Sequence, residues 1–176
     1  MPAPILVTAF VFVVLCVIWD VRVRRIPNLL SGGAMLAGVV LNVVCLGVQG
    51  VLSSAAGFLV TVGLLWAPFY LGGIGGGDVK MMAALGTLLG PALAFQALLI
   101  GMIVGGAITL VHLARIGRLK EKVASTGNIV RSAVSRGSLQ PLKNAASDPS
   151  AVWLPYSVPL GIGAIAVMVV SGLHAG

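Results

Sequence analysis

Recurring uncharged apolar stretches are the feature that most limits what this chain can fold into. They lie at residues 3–19, 29–50, 51–71, 81–90, 92–113 and 152–173. A helix that crosses a bilayer needs roughly 20 apolar residues at about 1.5 Å each, and 59% of this chain is hydrophobic while only 9% is charged. We therefore predict an all-α, polytopic membrane protein with six transmembrane helices.

The basic residues predict how these helices are oriented. They are Arg22, Arg24, Arg25, Lys80, Arg115, Arg118, Lys120, Lys122, Arg131, Arg136 and Lys143. Six spans place all of them on one membrane face, whereas merging residues 81–90 with 92–113 would move the later ones to the other face. Basic loops stay in the cytoplasm, so we expect both termini outside. Attraction to anionic inner-leaflet lipids accounts for the net charge of +7, and no nucleic-acid partner is expected.

We predict a single membrane-embedded domain over residues 1–176, with a basic cytoplasmic loop at about 115–151. Either a flexible solvated loop or an amphipathic helix lying along the membrane accounts for the composition of that loop. Gly101 and Gly105 match the GxxxG pattern, which we interpret as helix packing within the chain.

The cysteines and histidines predict neither a metal site nor a cofactor. Cys16 and Cys45 lie in separate apolar stretches, without the paired spacing of a zinc site or a disulfide framework. We interpret both as core or lipid-facing residues. His112 and His174 also lack metal-ligand spacing and are interpreted as interfacial or packing residues.

Two of the four acidic residues lie at the edges of apolar stretches, Asp20 after the first and Asp78 before the fourth. The predicted topology brings both to the same membrane face, and an ionisable group at membrane depth indicates function. The alternative for Asp20 is an ion pair with a neighbouring arginine at a helix end. That position is unfavourable for a simple cap, because a helix C-terminus carries partial negative charge.

The alternative for Asp78 is capping of the helix that follows it. From Val79 to Gly90 a helix extends only about 18 Å, against a hydrocarbon core of about 30 Å. We therefore expect Asp78, which precedes this helix, to lie within the membrane. Glycines adopt positive φ without strain. We therefore expect Gly75, Gly76 and Gly77 to let a substrate backbone approach Asp78.

Two carboxyl groups that share a water molecule can hydrolyse a peptide bond, with one holding a proton while the other accepts one. The alternative function is a small transporter or channel subunit whose aspartates carry protons or bind a cation. A scaffold without catalysis would leave Asp20 and Asp78 without a role.

Three segments together resemble the type IV prepilin peptidases. Asp20 is followed by Arg24-Arg25-Ile26-Pro27-Asn28, like the family's first aspartate segment. Gly75-Gly76-Gly77-Asp78 matches the GxGD motif, and Trp153-Leu154-Pro155-Tyr156-Ser157-Val158-Pro159 resembles the Pro-Tyr segment of the last helix.

The resemblance implies an aspartyl endopeptidase of the inner (cytoplasmic) membrane that removes the leader of pilin-like precursors at the cytoplasmic face. It implies Asp20 and Asp78 as the catalytic pair, and a pilin-like precursor and membrane lipids as partners. The four-cysteine zinc segment of the long bacterial forms is absent from this sequence, so we predict a peptidase without N-methyltransferase activity. The small size is similar to that of the tight-adherence (Flp-type) enzymes, and archaeal preflagellin peptidases are a neighbouring group.

Further residues are predicted to bind substrate or shape the site: Gly75, Gly76, Gly77, Lys80, Pro155 and Tyr156. Lys80 either favours the ionised form of Asp78 or orients the helix in the membrane. Tyr156 either donates a hydrogen bond into the site or anchors the interface.

Overall fold

The computed structural model describes residues 1–117, 135 and 156–173. Within those residues every regular element is a helix, as predicted. The elements are α1 (Ala3–Val23), α2 (Asn28–Leu46), α3 (Val48–Tyr70), α4 (Gly76–Arg115) and α5 (Ser157–Leu173). The predicted basic loop at 115–151 lies almost wholly outside the described residues.

Four of these helices, α1 to α4, are long and apolar enough to cross a membrane, and α5 is a shorter apolar helix of 17 residues. Many large apolar side chains on α1 to α3 are exposed, among them Leu29 and Val44. In water such a surface would be unstable, but lipid tails are as apolar as these side chains. The fold is therefore that of a helical membrane protein.

The chain reverses direction inside α4, at Gly90-Pro91. Gly90 has φ 75° and ψ 176°, which breaks the helix into a first arm (residues 76–89) and a second arm (residues 91–115). Gly161 of α5 lies beside Met81 of the first arm, while Gly101 of the second arm packs against Leu160. In a straight helix residues 81 and 101 would lie about 30 Å apart, so neighbouring α5 residues can meet both only if the arms fold back.

The predicted separation of residues 81–90 from 92–113 is thus confirmed. Six crossings of the membrane and the outside location of both termini stay predictions. Gly101 and Gly105 both pack against the start of α5, which confirms that the GxxxG pattern serves packing within the chain.

Side chains from two other helices satisfy the backbone at the break. Pro91 has no N–H, so the Thr87 carbonyl loses its usual helical partner. The Asn42 amide donates to the carbonyls of Thr87 (2.9 Å) and Leu88 (3.1 Å), and the Ser54 hydroxyl donates to Thr87 (2.9 Å). Backbone groups within a membrane must find such internal partners, so these two buried side chains permit the reversal.

The first arm of α4 forms the centre of the fold. Every residue from Met81 to Gly90 is buried. The backbones of Gly57 in α3 and Gly86 in α4 approach so closely that a Cβ on either would overlap the other's carbonyl group. Close approach at glycine residues allows helices to associate in lipid. Here it fixes the first arm of α4, whose first turn carries Asp78, against α3.

One turn lies elsewhere than predicted. The apolar stretches 29–50 and 51–71 imply a turn near residue 50, but α2 ends and α3 begins at Gly47, which has φ 61°. Gly50 lies inside α3 and packs against the backbone of Asn42, where a Cβ would overlap. The positive φ belongs to Gly47, while Gly50 serves close packing.

Candidate active site

Asp20 lies in the last turn of α1, because that helix continues beyond its apolar stretch to Val23. Its side chain is half-buried. The hydroxyl of Ser157, the first residue of α5, donates a hydrogen bond of 2.5 Å to Asp20 Oδ2. Among the described residues, no ion pair joins Asp20 to the neighbouring arginines. Asp20 therefore lies against the N-terminus of a second helix, whose partial positive charge suits an anion.

Asp78 is the third residue of α4 and is buried. The helix N-cap is Gly75, and no side chain caps it, so the alternative that Asp78 serves as the N-cap is wrong. The position within the first turn still favours an acidic residue, since the backbone N–H groups there lack helical partners. The N–H of Gly75 lies close enough to the carboxyl group to interact with it.

The structure brings these two carboxyl groups together. Asp20 lies within electrostatic range of Asp78, although the two residues belong to different helices and lie far apart in sequence. Asp20 comes from the end of α1 and Asp78 from the start of α4, and Ser157 at the start of α5 contacts Asp20. Two acidic side chains at one place, one buried and one half-buried, form a candidate acid–base pair.

The glycines before Asp78 do not adopt the conformation predicted for them. Gly75 has φ −73°, and neither Gly76 nor Gly77 has positive φ. The glycine of this run that does is Gly72, with φ 79°. A Cβ on Gly75 would lie 3.3 Å from Asp78 Oδ2, so the smallness of that residue leaves room for the carboxyl group.

Gly76 and Gly77 have more room than Gly75. A Cβ on Gly76 would lie 3.4 Å from the Phe69 ring, and one on Gly77 would lie 3.6 Å from Ile26. These are ordinary contact distances. Roles for both glycines in substrate approach stay predictions.

A second connection ties the segment after α1 to the start of α4. The Lys80 ammonium donates a 2.7 Å hydrogen bond to Asn28 Oδ1, at the first residue of α2. Ile26 is buried against the side of Gly77. Lys80 thus contacts the Ile26-Pro27-Asn28 segment, and its effect on the ionisation of Asp78 stays a prediction.

The Pro-Tyr segment is described only in part. Pro155 lies outside the described residues. The Tyr156 carbonyl accepts a hydrogen bond from the Leu160 N–H at 3.1 Å, and its ring lies near Gly105. The neighbour that reaches an aspartate is Ser157, which the sequence analysis missed. A serine directly after the Pro-Tyr pair was the available signal, but only the fold shows that it meets Asp20.

The described residues contain no group of three or more His, Cys, Asp or Glu side chains arranged to hold a metal ion. Cys16 is buried in α1, and Cys45 is exposed on α2, which agrees with their interpretation as core and lipid-facing residues. The chemistry that the described site offers is that of two carboxyl groups, a hydroxyl and backbone N–H groups.

An all-helical membrane protein with paired carboxyl groups is the class that this fold and site define. The chain belongs to the type IV leader peptidase family, whose model matches residues 7–110. No curated protein and no solved structure matches the chain. The matched region contains Asp20, Asp78 and Lys80 but ends before α5. Membership favours a peptidase over the transporter alternative, and it implies a pilin-like precursor as substrate.

Proposed function

We propose that this peptidase is an aspartic-type endopeptidase in which Asp20 and Asp78 activate a water molecule. The observation that supports this most strongly is that the end of α1 and the start of α4, both within the family-matched region, place Asp20 and Asp78 within electrostatic range of each other. Asp20 and Asp78 both lie at helix ends and not in the middle of a span. At a helix end, a peptide can reach them from the membrane surface.

In the proposed reaction, one carboxylate takes a proton from water as the water oxygen attacks the scissile carbonyl carbon. The other carboxyl group gives its proton to the carbonyl oxygen, forming a tetrahedral gem-diol. The carbon–nitrogen bond then breaks. The leaving nitrogen takes the proton from the first group, and a gem-diol hydroxyl returns one to the second. Products are an amine and a carboxylic acid, and both aspartates recover their starting states.

The substrate we propose is a pilin-like precursor whose short leader precedes an apolar helix. The apolar outer surfaces of α1 to α3 suit a substrate helix that stays in lipid while its leader reaches the aspartates. Arg22, Arg24 and Arg25 are exposed beside Asp20. Since basic residues favour the cytoplasmic side, we place cleavage at the cytoplasmic face of the cytoplasmic membrane, without N-methylation of the product.

The test is leader removal from a synthetic pilin-like precursor by purified full-length variants in liposomes. Asp20→Asn and Asp78→Asn keep the side-chain shape but remove the acid–base function, so each is expected to lower the cleavage rate by a factor of about 10³ or more. Glu121→Gln serves as the matched control and should cleave at the wild-type rate. Wild-type cleavage by either aspartate variant would end the proposal.

A further inference from the structure

Ser157 contacts Asp20 from a helix that lies outside the region matched by the family model. The match ends at residue 110, whereas Ser157 opens α5 and donates to Asp20 Oδ2 at 2.5 Å. Its side chain is fully buried, with none of its surface exposed. The contact therefore lies inside the protein, between the end of α1 and the start of α5.

A serine at the start of a helix ordinarily accepts a hydrogen bond from that helix's own free N–H groups. Here the hydroxyl donates its single proton outward, to a residue of another helix. Asp20 in turn lies at the end of α1, where the backbone N–H groups already serve helical hydrogen bonds. A side chain from elsewhere has to supply a donor, and Ser157 does so.

The start of α5 is well placed to hold that donor. The close neighbours of Gly161 are Val13 and Val17 of α1, while Gly163 packs against the backbone of Gly101. Close backbone packing of this kind allows little sliding of one helix along another. The Ser157 hydroxyl is consequently presented to Asp20 from a firmly packed turn.

We infer that Ser157 is a positioning residue for the reaction: its hydroxyl holds one oxygen of the Asp20 carboxylate and leaves the other for the reacting water. This inference rests on the proposed function. A carboxylate held at one oxygen loses rotational freedom, and orientation of a reacting group contributes strongly to rate. Ser157 contacts Asp20, and in the proposed reaction Asp20 is the residue that contacts the substrate. Ser157 therefore acts through Asp20.

The experiment measures kcat and KM for the same precursor with full-length Ser157→Ala and Ser157→Cys in liposomes. Alanine removes the donor, and a thiol donates only weakly. Both are expected to lower kcat by about tenfold to 100-fold while KM changes by less than about twofold. Ser54→Ala, which also removes a buried hydroxyl, is the matched control and should keep the wild-type kcat.

Thermal unfolding separates positioning from a general loss of structure. Asp20→Ala, Ser157→Ala and the double variant form a cycle, and the unfolding shifts should be non-additive because one hydrogen bond is removed each time. If Ser157→Ala or Ser157→Cys folds and retains the wild-type kcat, the inference is wrong. If Asp20→Asn itself cleaves normally, the proposed function fails instead, so the two failures are distinct.

Discussion

The two ends of the first arm of α4 are held in different ways. At the Gly90 end, backbone approaches backbone, and the side chains of Asn42 and Ser54 donate to carbonyls that the break leaves free. At the Gly75 end, Gly76 and Gly77 have ordinary contact distances around them, and a side-chain hydrogen bond from Lys80 to Asn28 connects this end to α2. The close-packed end anchors the helix, whereas Gly76 and Gly77 at the other end have room for a Cβ.

The largest effect on stability is expected from breaking the close-packed end. Gly86→Val would force α3 and α4 apart, because a Cβ there overlaps the Gly57 carbonyl group, and overpacking of this kind costs about 3 kcal/mol. Denaturant unfolding in detergent micelles measures the loss. Gly63→Val is the matched control, since nothing lies within 4 Å of a Cβ on Gly63. Equal stability of the two variants would show that the packing is looser than described.

A change at the Gly75 end should instead affect activity more than stability. Lys80→Met removes the hydrogen bond to Asn28, which is exposed, so the free energy of unfolding should fall by less than about 1 kcal/mol. Because the bond ties the start of α4 to α2, cleavage should slow by about threefold to tenfold.

Steady-state cleavage and chemical unfolding of Lys80→Met together test that expectation. Arg115→Met, at the far end of the second arm of α4, is the control for loss of a basic residue. If Lys80→Met unfolds much more easily while its cleavage rate per folded molecule is unchanged, the hydrogen bond has a structural role and the contrast between the two ends is lost.

The smallest effect is expected at Gly77. Alanine fits there, 3.6 Å from Ile26, and replacing a helical glycine by alanine stabilises by about 0.5 to 1 kcal/mol. Unfolding and cleavage of Gly77→Ala should show a slightly more stable and still active enzyme. Loss of cleavage without loss of stability would instead support the prediction that the substrate backbone passes close to this glycine.

The sequence predicted much of this fold because lipid imposes simple requirements. Length and hydropathy placed the helices, and the distribution of basic residues separated residues 81–90 from 92–113. The hydrogen bonds of Asn42 and Ser54 could not be predicted from the sequence pattern, because they depend on which helices pack beside the break at Gly90-Pro91. A polar residue within an apolar stretch was the available signal.

The candidate site was predictable to a similar degree. Scarcity of acidic residues singled out Asp20 and Asp78, and the structure places the two within electrostatic range of each other. Gly75 is the N-cap, which removes the alternative that Asp78 caps the helix, while the positive φ lies at Gly72 and not at Gly75 to Gly77 as expected. Ser157 escaped notice because its partner lies on the first helix of the chain, a relationship that only tertiary packing creates.

The most direct test of the central claim is whether the side chains at positions 20 and 78 share one place. In a background with Cys16→Ala and Cys45→Ala, the double variant Asp20→Cys/Asp78→Cys should be joined efficiently by a short thiol cross-linker in liposomes. The control Asp20→Cys/Gly63→Cys, with the second thiol on the outer surface of α3, should not. Efficient linkage of the control pair, or none between positions 20 and 78, would contradict the account.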